Sequence, residues 1–160
     1  MEVAPPGMDE ADAVTDAWVD LAAGQRQYGS LLRAEANREA VREAVARSIV
    51  TGGLLVAYDP DLVGFVMFGP ESGTYEQHAE KGIVENLYVV PERRGEGIGT
   101  ALLEAAEESL AADGAEVISL DVMADNEAAR RFYREHGYDP NRVTMTRPAE
   151  SDIHSKPDDG

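Results

Sequence analysis

The sequence predicts a mixed α+β, or mixed α/β, domain. Three observations carry that reading. The first third of the chain has helical hydrophobic spacing, with Val14, Trp18, Leu21 and Ala22 recurring at steps of three and four. Two apolar runs flank Asp59-Pro60-Asp61, a turn signal, and read as a hairpin. Further on, a strand, a helix and a second strand follow in order, the pattern of a crossover connection.

Taken in order, Asp9-Glu10-Ala11-Asp12 opens the first helix, and Gly24 and Gly29-Ser30 interrupt its period. A second helix is expected from about Arg38 to Val50, with Val41, Ala44, Val45 and Ile49 inward. Thr51-Gly52-Gly53 stops it, because glycine readily takes the left-handed conformation past a helix end. Leu54 to Tyr58 and Val63 to Phe68 are the hairpin strands, and a polar loop begins at Gly69. Ile83 to Val89 is a third strand, closed by Pro91. A helix from about Gly99 to Asp113, a strand from Val117 to Val122 and a helix from Asn126 to Glu135 or His136 follow. Arg142 to Arg147 is expected as a last strand. Residues 1–148 thus read as a single domain, and 149–160, polar and charged, as a disordered acidic tail.

Composition narrows the function. A chain of 160 residues buries roughly two-thirds of its unfolded surface, enough for one core. With no cysteine, disulfides, thiolate-bound zinc and a cysteine nucleophile are excluded. His78, His136 and His154 have no metal-site spacing, so no metal is expected. No apolar run reaches the ~18 residues of a membrane helix, and the N-terminus lacks signal-peptide character, so a cytoplasmic protein is expected. The formal charge of −17 would repel nucleic acid. With Lys81 and Lys156 the only lysines, so acidic a chain is expected in a salt-adapted, halophilic cytoplasm, where screening shortens to ~3 Å at 1 M salt.

The densest information lies between Val84 and Leu103. A strand enters a loop with glycine at 95, 97 and 99, and the loop opens a helix. Converging N–H groups and the positive end of a helix dipole favour a phosphate or pyrophosphate. The phosphate-loop signature is absent, because no Gly-Lys-Ser or Gly-Lys-Thr occurs here. The dinucleotide fingerprint fails as well, since position 100 is Thr and the glycines are spaced by two. What the spacing does match is Arg-x-x-Gly-x-Gly, as Arg94, Gly97 and Gly99. Downstream, Asn126, Ala129, Tyr133 and Gly137-Tyr138 form a second cluster, Asn-x-x-Ala-x-x-x-Tyr followed by Gly-Tyr. Asn126 and Tyr133 stand about two helical turns apart and project along nearly the same side. Asn126 also has the simpler reading of a helix cap.

Together the two clusters resemble the GNAT superfamily of acetyl-CoA-dependent N-acetyltransferases, over about Glu85 to Tyr138. The resemblance implies a central, mostly antiparallel sheet flanked by helices, with acetyl-CoA as cosubstrate. It implies that the backbone of Gly95, Glu96, Gly97, Ile98, Gly99 and Thr100 holds the pyrophosphate. Leu87, Tyr88 and Val89 would pair with the pantetheine arm, and Arg94 and Asn126 would face the cofactor. Tyr133 becomes the general acid for the leaving thiolate, protonated at neutral pH with an ordinary pKa of ~10. Glu85, two residues before Leu87 and expected on the same strand face, becomes the candidate base. The acceptor is a primary amine of a small molecule or peptide, held among the first two helices and the loop at 70 to 82. Trp18, Gln25, Tyr28 and Ser30 are the lining candidates. A non-catalytic acyl-CoA-binding module with the same fold is the alternative, and the exposed last strand makes a homodimer possible.

Overall fold

The computed structural model describes residues 1–71 and 78–150. One five-stranded sheet, ordered β1-β2-β3-β4-β5, organises them. Its strands are β1 (Glu2–Ala4), β2 (Leu54–Tyr58), β3 (Leu62–Pro70), β4 (Lys81–Val89) and β5 (Val117–Leu120). The helices are α1 (Ala11–Gln25), α2 (Arg38–Thr51), α3 (Ile98–Ala112) and α4 (Glu127–Glu135). The pairs β1–β2, β2–β3 and β3–β4 are antiparallel, and β4–β5 is parallel, with α3 as the crossover.

Both sheet faces are covered. Val14, Trp18 and Val45 from α1 and α2 pack with Leu54, Val56, Phe65, Met67 and Tyr88 on one face. On the other, Ile98, Leu102, Leu103, Ala106 and Leu110 of α3 pack with Val66, Phe68 and Val84. β3 is buried along nearly its whole length, which is why it reads as a continuous apolar run rather than an alternation. α4 is seated by Phe132 against Gly99 and by Tyr138, whose hydroxyl donates to Glu107 of α3 at 2.6 Å.

Several expectations change. The first helix runs through Gly24, since a single helical glycine costs only ~1 kcal/mol when the opposite face is packed. β1 was not anticipated; its three residues pair with β2 at the sheet edge. The strand expected at Arg142 to Arg147 is not formed: these residues are exposed and lie outside every strand among the described residues. The tail expected at 149–160 lies, from residue 151 onward, outside the described residues, as do 72–77 of the loop proposed for the acceptor.

β3 and β4 approach closely at Gly64. A Cβ there would stand 2.6 Å from the Tyr88 carbonyl oxygen and 3.0 Å from Leu102 Cδ1. Backbone cannot yield as a flexible side-chain end does. Gly64→Ala is therefore expected to destabilise the fold by ~1–3 kcal/mol in urea unfolding, as overpacked cores do. An unchanged midpoint would contradict the packing described.

Candidate active site

The site begins where two parallel strands part. β4 and β5 pair from Lys81 with Val117 to Val84 with Leu120, and there the pairing ends. β4 continues to Val89, held by β3 on one side only. Along Leu87, Tyr88 and Val89 its β5 side has no strand partner among the described residues, and the Val89 carbonyl there accepts from Arg94. At the parting point the β3–β4 register shifts: Met67 is opposite Asn86, and Phe68 is opposite Val84. Glu85 is the extra residue of a β-bulge. The alternation that would put Glu85 on the same face as Leu87 is therefore broken, correcting the sequence expectation. Glu85 is exposed, Leu87 half-buried against the α3-side cluster, and Tyr88 buried on the opposite face.

Beyond Val89 the chain turns through Pro91–Arg93 into the glycine loop. Gly95 and Gly97 both have positive φ, 82° and 86°, a region where a side chain is strained. Gly97 is the N-cap of α3, and no side chain caps the helix. The first loop amide to find a helical acceptor is Ala101, which donates to Gly97 at 3.1 Å. The N–H groups of residues 95 to 100 have no hydrogen-bond partner among the described residues, and they precede fifteen residues of aligned helix dipole. This is a donor set that suits an anion.

Two arginines brace the loop from beneath. Arg94 Nε donates to the Val89 carbonyl at 2.9 Å, and its guanidinium lies 5.6 Å from the Tyr88 ring centre. Arg94 thus ties the loop to the strand, leaving its terminal nitrogens for other work. Arg93 is bonded to Asp59 at 2.6 Å and to Glu96 at 3.0 Å. The positive charge of Arg93 is neutralised there, and the Glu96 side chain is occupied.

α4 closes the other side of the opening. Asn126 Oδ1 accepts from the Ala129 N–H at 3.1 Å, so Asn126 is a helix cap, and its side-chain amide still has donors to offer. Tyr133 stacks edge-on with Phe132 and Tyr138, at 5.2 and 6.0 Å between ring centres. Burial pushes its hydroxyl up to about 12. That hydroxyl bonds no described residue. The structure seats α4 beside the loop, with Phe132 next to Gly99, and packs Tyr133 on the same α3-side cluster as Leu87 and Val89.

The lining candidates fare differently. Trp18 is 8% exposed and belongs to the core, while Gln25, Tyr28 and Ser30 are half-buried around the α1–α2 connection. A cleft of about 570 Å³ lies elsewhere, among Glu10, Asp16, Asp20, Tyr58, Asp61 and Tyr88. Sequence reasoning missed it, although Asp16 and Asp20, four apart on one helix, shared a face. Burial, then the Asp20 carboxylate, raise the Tyr88 hydroxyl above its ordinary range. Phe132 was missed too; its signal was an aromatic near a loop glycine, since Gly99 leaves just enough room for its ring.

Comparison with known proteins follows the same lines. The family model described as Acetyltransferase (GNAT) family matches residues 14–138. An uncharacterized N-acetyltransferase of Archaeoglobus fulgidus is 39% identical over 82 residues, covering 51% of this chain and 56% of that protein. The chain therefore spans little more than half of that relative. An aminoalkylphosphonate N-acetyltransferase of Salmonella typhimurium is 29% identical, over 73% of this chain and 77% of its own. Among solved structures, an aminoglycoside N-acetyltransferase in complex with CoA superposes with a TM-score of 0.72 at 14% identity, covering 92% of this chain and 94% of that one.

The loop assignment is open to a direct test. The Cβ position of Gly97, within the loop, meets nothing within 4 Å, so a large side chain has room there. Gly97→Trp is expected to weaken acetyl-CoA binding at least ~100-fold in calorimetry while the circular dichroism spectrum persists. Unchanged affinity in the folded variant would remove the loop from the site.

Proposed function

Because the chain belongs to the acetyltransferase (GNAT) family, we propose that it transfers an acetyl group from acetyl-CoA to a primary amine by direct attack in a ternary complex. The acceptor is an amine of a small molecule, a protein N-terminus or a lysine. The observation that carries this reading is the parting of β4 from β5, with loop amides that have no partner among the described residues at one end and Tyr133 packed on the same cluster as Leu87 and Val89. Bound acetyl-CoA supplies an activated thioester.

The chain's own groups divide the work. Amides of residues 95 to 100 hold the pyrophosphate, and the open edge of β4 at Leu87, Tyr88 and Val89 pairs with the pantetheine arm. A backbone N–H near Leu87 donates to the thioester oxygen as charge gathers there. Arg94 and the Asn126 side-chain amide bind the cofactor from either side. Tyr133 keeps a proton at its hydroxyl oxygen and delivers it to the departing sulfur. Glu85, at the bulge, accepts the proton of the attacking amine, directly or through water. The carboxylates of the α1 cleft favour a cationic amine as it approaches.

The same reading extends to the setting. It places residues 1–148 in one domain, followed by an acidic tail, in the cytoplasm of a salt-adapted organism, with no nucleic-acid partner. The charge of −17 supports the last two points, and no helix among the described residues is long and apolar enough to cross a membrane. A homodimer belongs to it as well, since Val143 and Met145 stand uncovered. Melting should rise with KCl up to molar concentrations; a midpoint indifferent to KCl would argue against salt adaptation.

Thiol release from acetyl-CoA across a panel of amines tests the activity. Tyr133→Phe is expected to lower kcat ~100-fold or more, the usual worth of a positioned acid, with acetyl-CoA affinity nearly unchanged. Full turnover in the variant would take Tyr133 out of the mechanism. CoA binding without thiol release for any amine would mark a binding module instead. The proton held by Tyr133 is retained as pH rises, because its hydroxyl titrates at about 12. The wild-type kcat should accordingly show no fall from pH 8 to ~10, the ordinary tyrosine value. A fall centred near ~10 would contradict it.

A further inference from the structure

The cleft beside α1 has room for a ligand and charge of one sign. Its volume, about 570 Å³, is that of a small-molecule site. Glu10, Asp16, Asp20 and Asp61 bring four carboxylates to its wall, from α1, its N-cap and the β2–β3 turn. Two of them are engaged: Glu10 accepts the Tyr58 hydroxyl at 2.7 Å, and Asp16 pairs with Arg38. No ion pair among the described residues reaches Asp20 or Asp61. Arg94 stands by the Tyr88 ring but does not line the cleft.

An acidic wall alone would be solvated surface; Tyr88 gives this one a second polar group to satisfy. Tyr88 is only 5% exposed, and its hydroxyl bonds no described residue. Among those residues no side-chain oxygen or nitrogen sealed from solvent lacks a partner, so this hydroxyl opens into the cleft. A hydroxyl so nearly buried and unpaired carries a free-energy cost that a bound donor offsets. The charge that acts on it most strongly is that of Asp20. An ammonium N–H there can be accepted by the Asp20 carboxylate and by the Tyr88 hydroxyl oxygen.

The spacing of the charges selects the shape of the ligand. No three acidic or histidine side chains among the described residues come close enough to hold one metal ion, so a compact cation leaves most of the wall unmet. Around the carboxylates the wall is apolar, with Ala13, Ala17, Leu62 and Val90. Positive groups joined by methylenes match both features. The ammonium ends meet carboxylates and tyrosine ring faces, and the methylenes cover apolar wall. We infer that the α1 cleft binds an aliphatic polyamine, with one ammonium group held between Asp20 and the Tyr88 hydroxyl. Tyr88 packs in the α1–α2-side cluster, so this site lies on the opposite sheet face from the cluster of Leu87, Val89 and Tyr133.

Calorimetric titration of the full-length chain with spermidine, in the absence of acetyl-CoA, tests the site whether or not the chain transfers acetyl groups. One saturable site is expected at low salt, weakened in molar KCl as the exposed charges are screened. Asp20→Asn should lower the affinity ~10-fold and Tyr88→Phe a few-fold, the scale of one charged and one neutral hydrogen bond, with circular dichroism unchanged. Butylamine, with a single charge, and Mg²⁺ should each bind at least ~10-fold more weakly than spermidine, since each leaves a charged pair unmade. Absence of saturable binding, or spermidine binding indifferent to Asp20→Asn, would overturn the proposal. So would butylamine or Mg²⁺ binding as tightly as spermidine.

Discussion

The parting of β4 from β5 after Val84 and Leu120 is the constraint on which the site rests. Up to that point the strands satisfy each other. Beyond it, β5 leaves the sheet toward the Asn126 cap of α4, and β4 runs on with no strand along that edge among the described residues. Unpaired strand groups and unpaired helix N–H groups both carry a cost unless water or a ligand meets them. Here the two sets lie next to each other, separated only by the turn at Pro91 to Arg94. The bulge at Glu85 marks the same place on the β3 side, where an extra residue lets the strand change course.

What holds the opening in shape is packing on both sheet faces. Phe65 and Tyr88 tie β3 and β4 to the α1–α2 layer, their rings 6.1 Å apart, while Leu102 and Leu103 fix α3 beneath. The loop itself is anchored by Arg94 to the strand it has just left and by Arg93 to the β2–β3 turn. Exposed ion pairs of this kind contribute little stability. Their effect is to orient the loop, whose amides at residues 95 to 100 have no hydrogen-bond partner among the described residues.

Much of this was legible in the residues, for reasons that differ by element. Alternate glycines ahead of an apolar helix announce positive φ and an uncapped helix start, and both are found at Gly97. The hairpin was readable because Asp-Pro-Asp punctuates two apolar runs. The bulge was not readable, because register is set by pairing with β3 and no local pattern at Glu85 marks it. β1 is too short to show a period. The segment 142–147 has the alternation of a strand, yet alternation says nothing about which edge a strand will find. The acidic cleft joins α1 to the β2–β3 turn across forty residues of sequence, and only the fold brings them together.

The most direct measurement is a calorimetric titration of the wild-type chain with acetyl-CoA, NAD serving as control, in low and in molar KCl. The account predicts saturable heat with acetyl-CoA and none with NAD. Absence of binding at either salt, or equal binding of NAD, would contradict it and leave the glycine loop a structural turn.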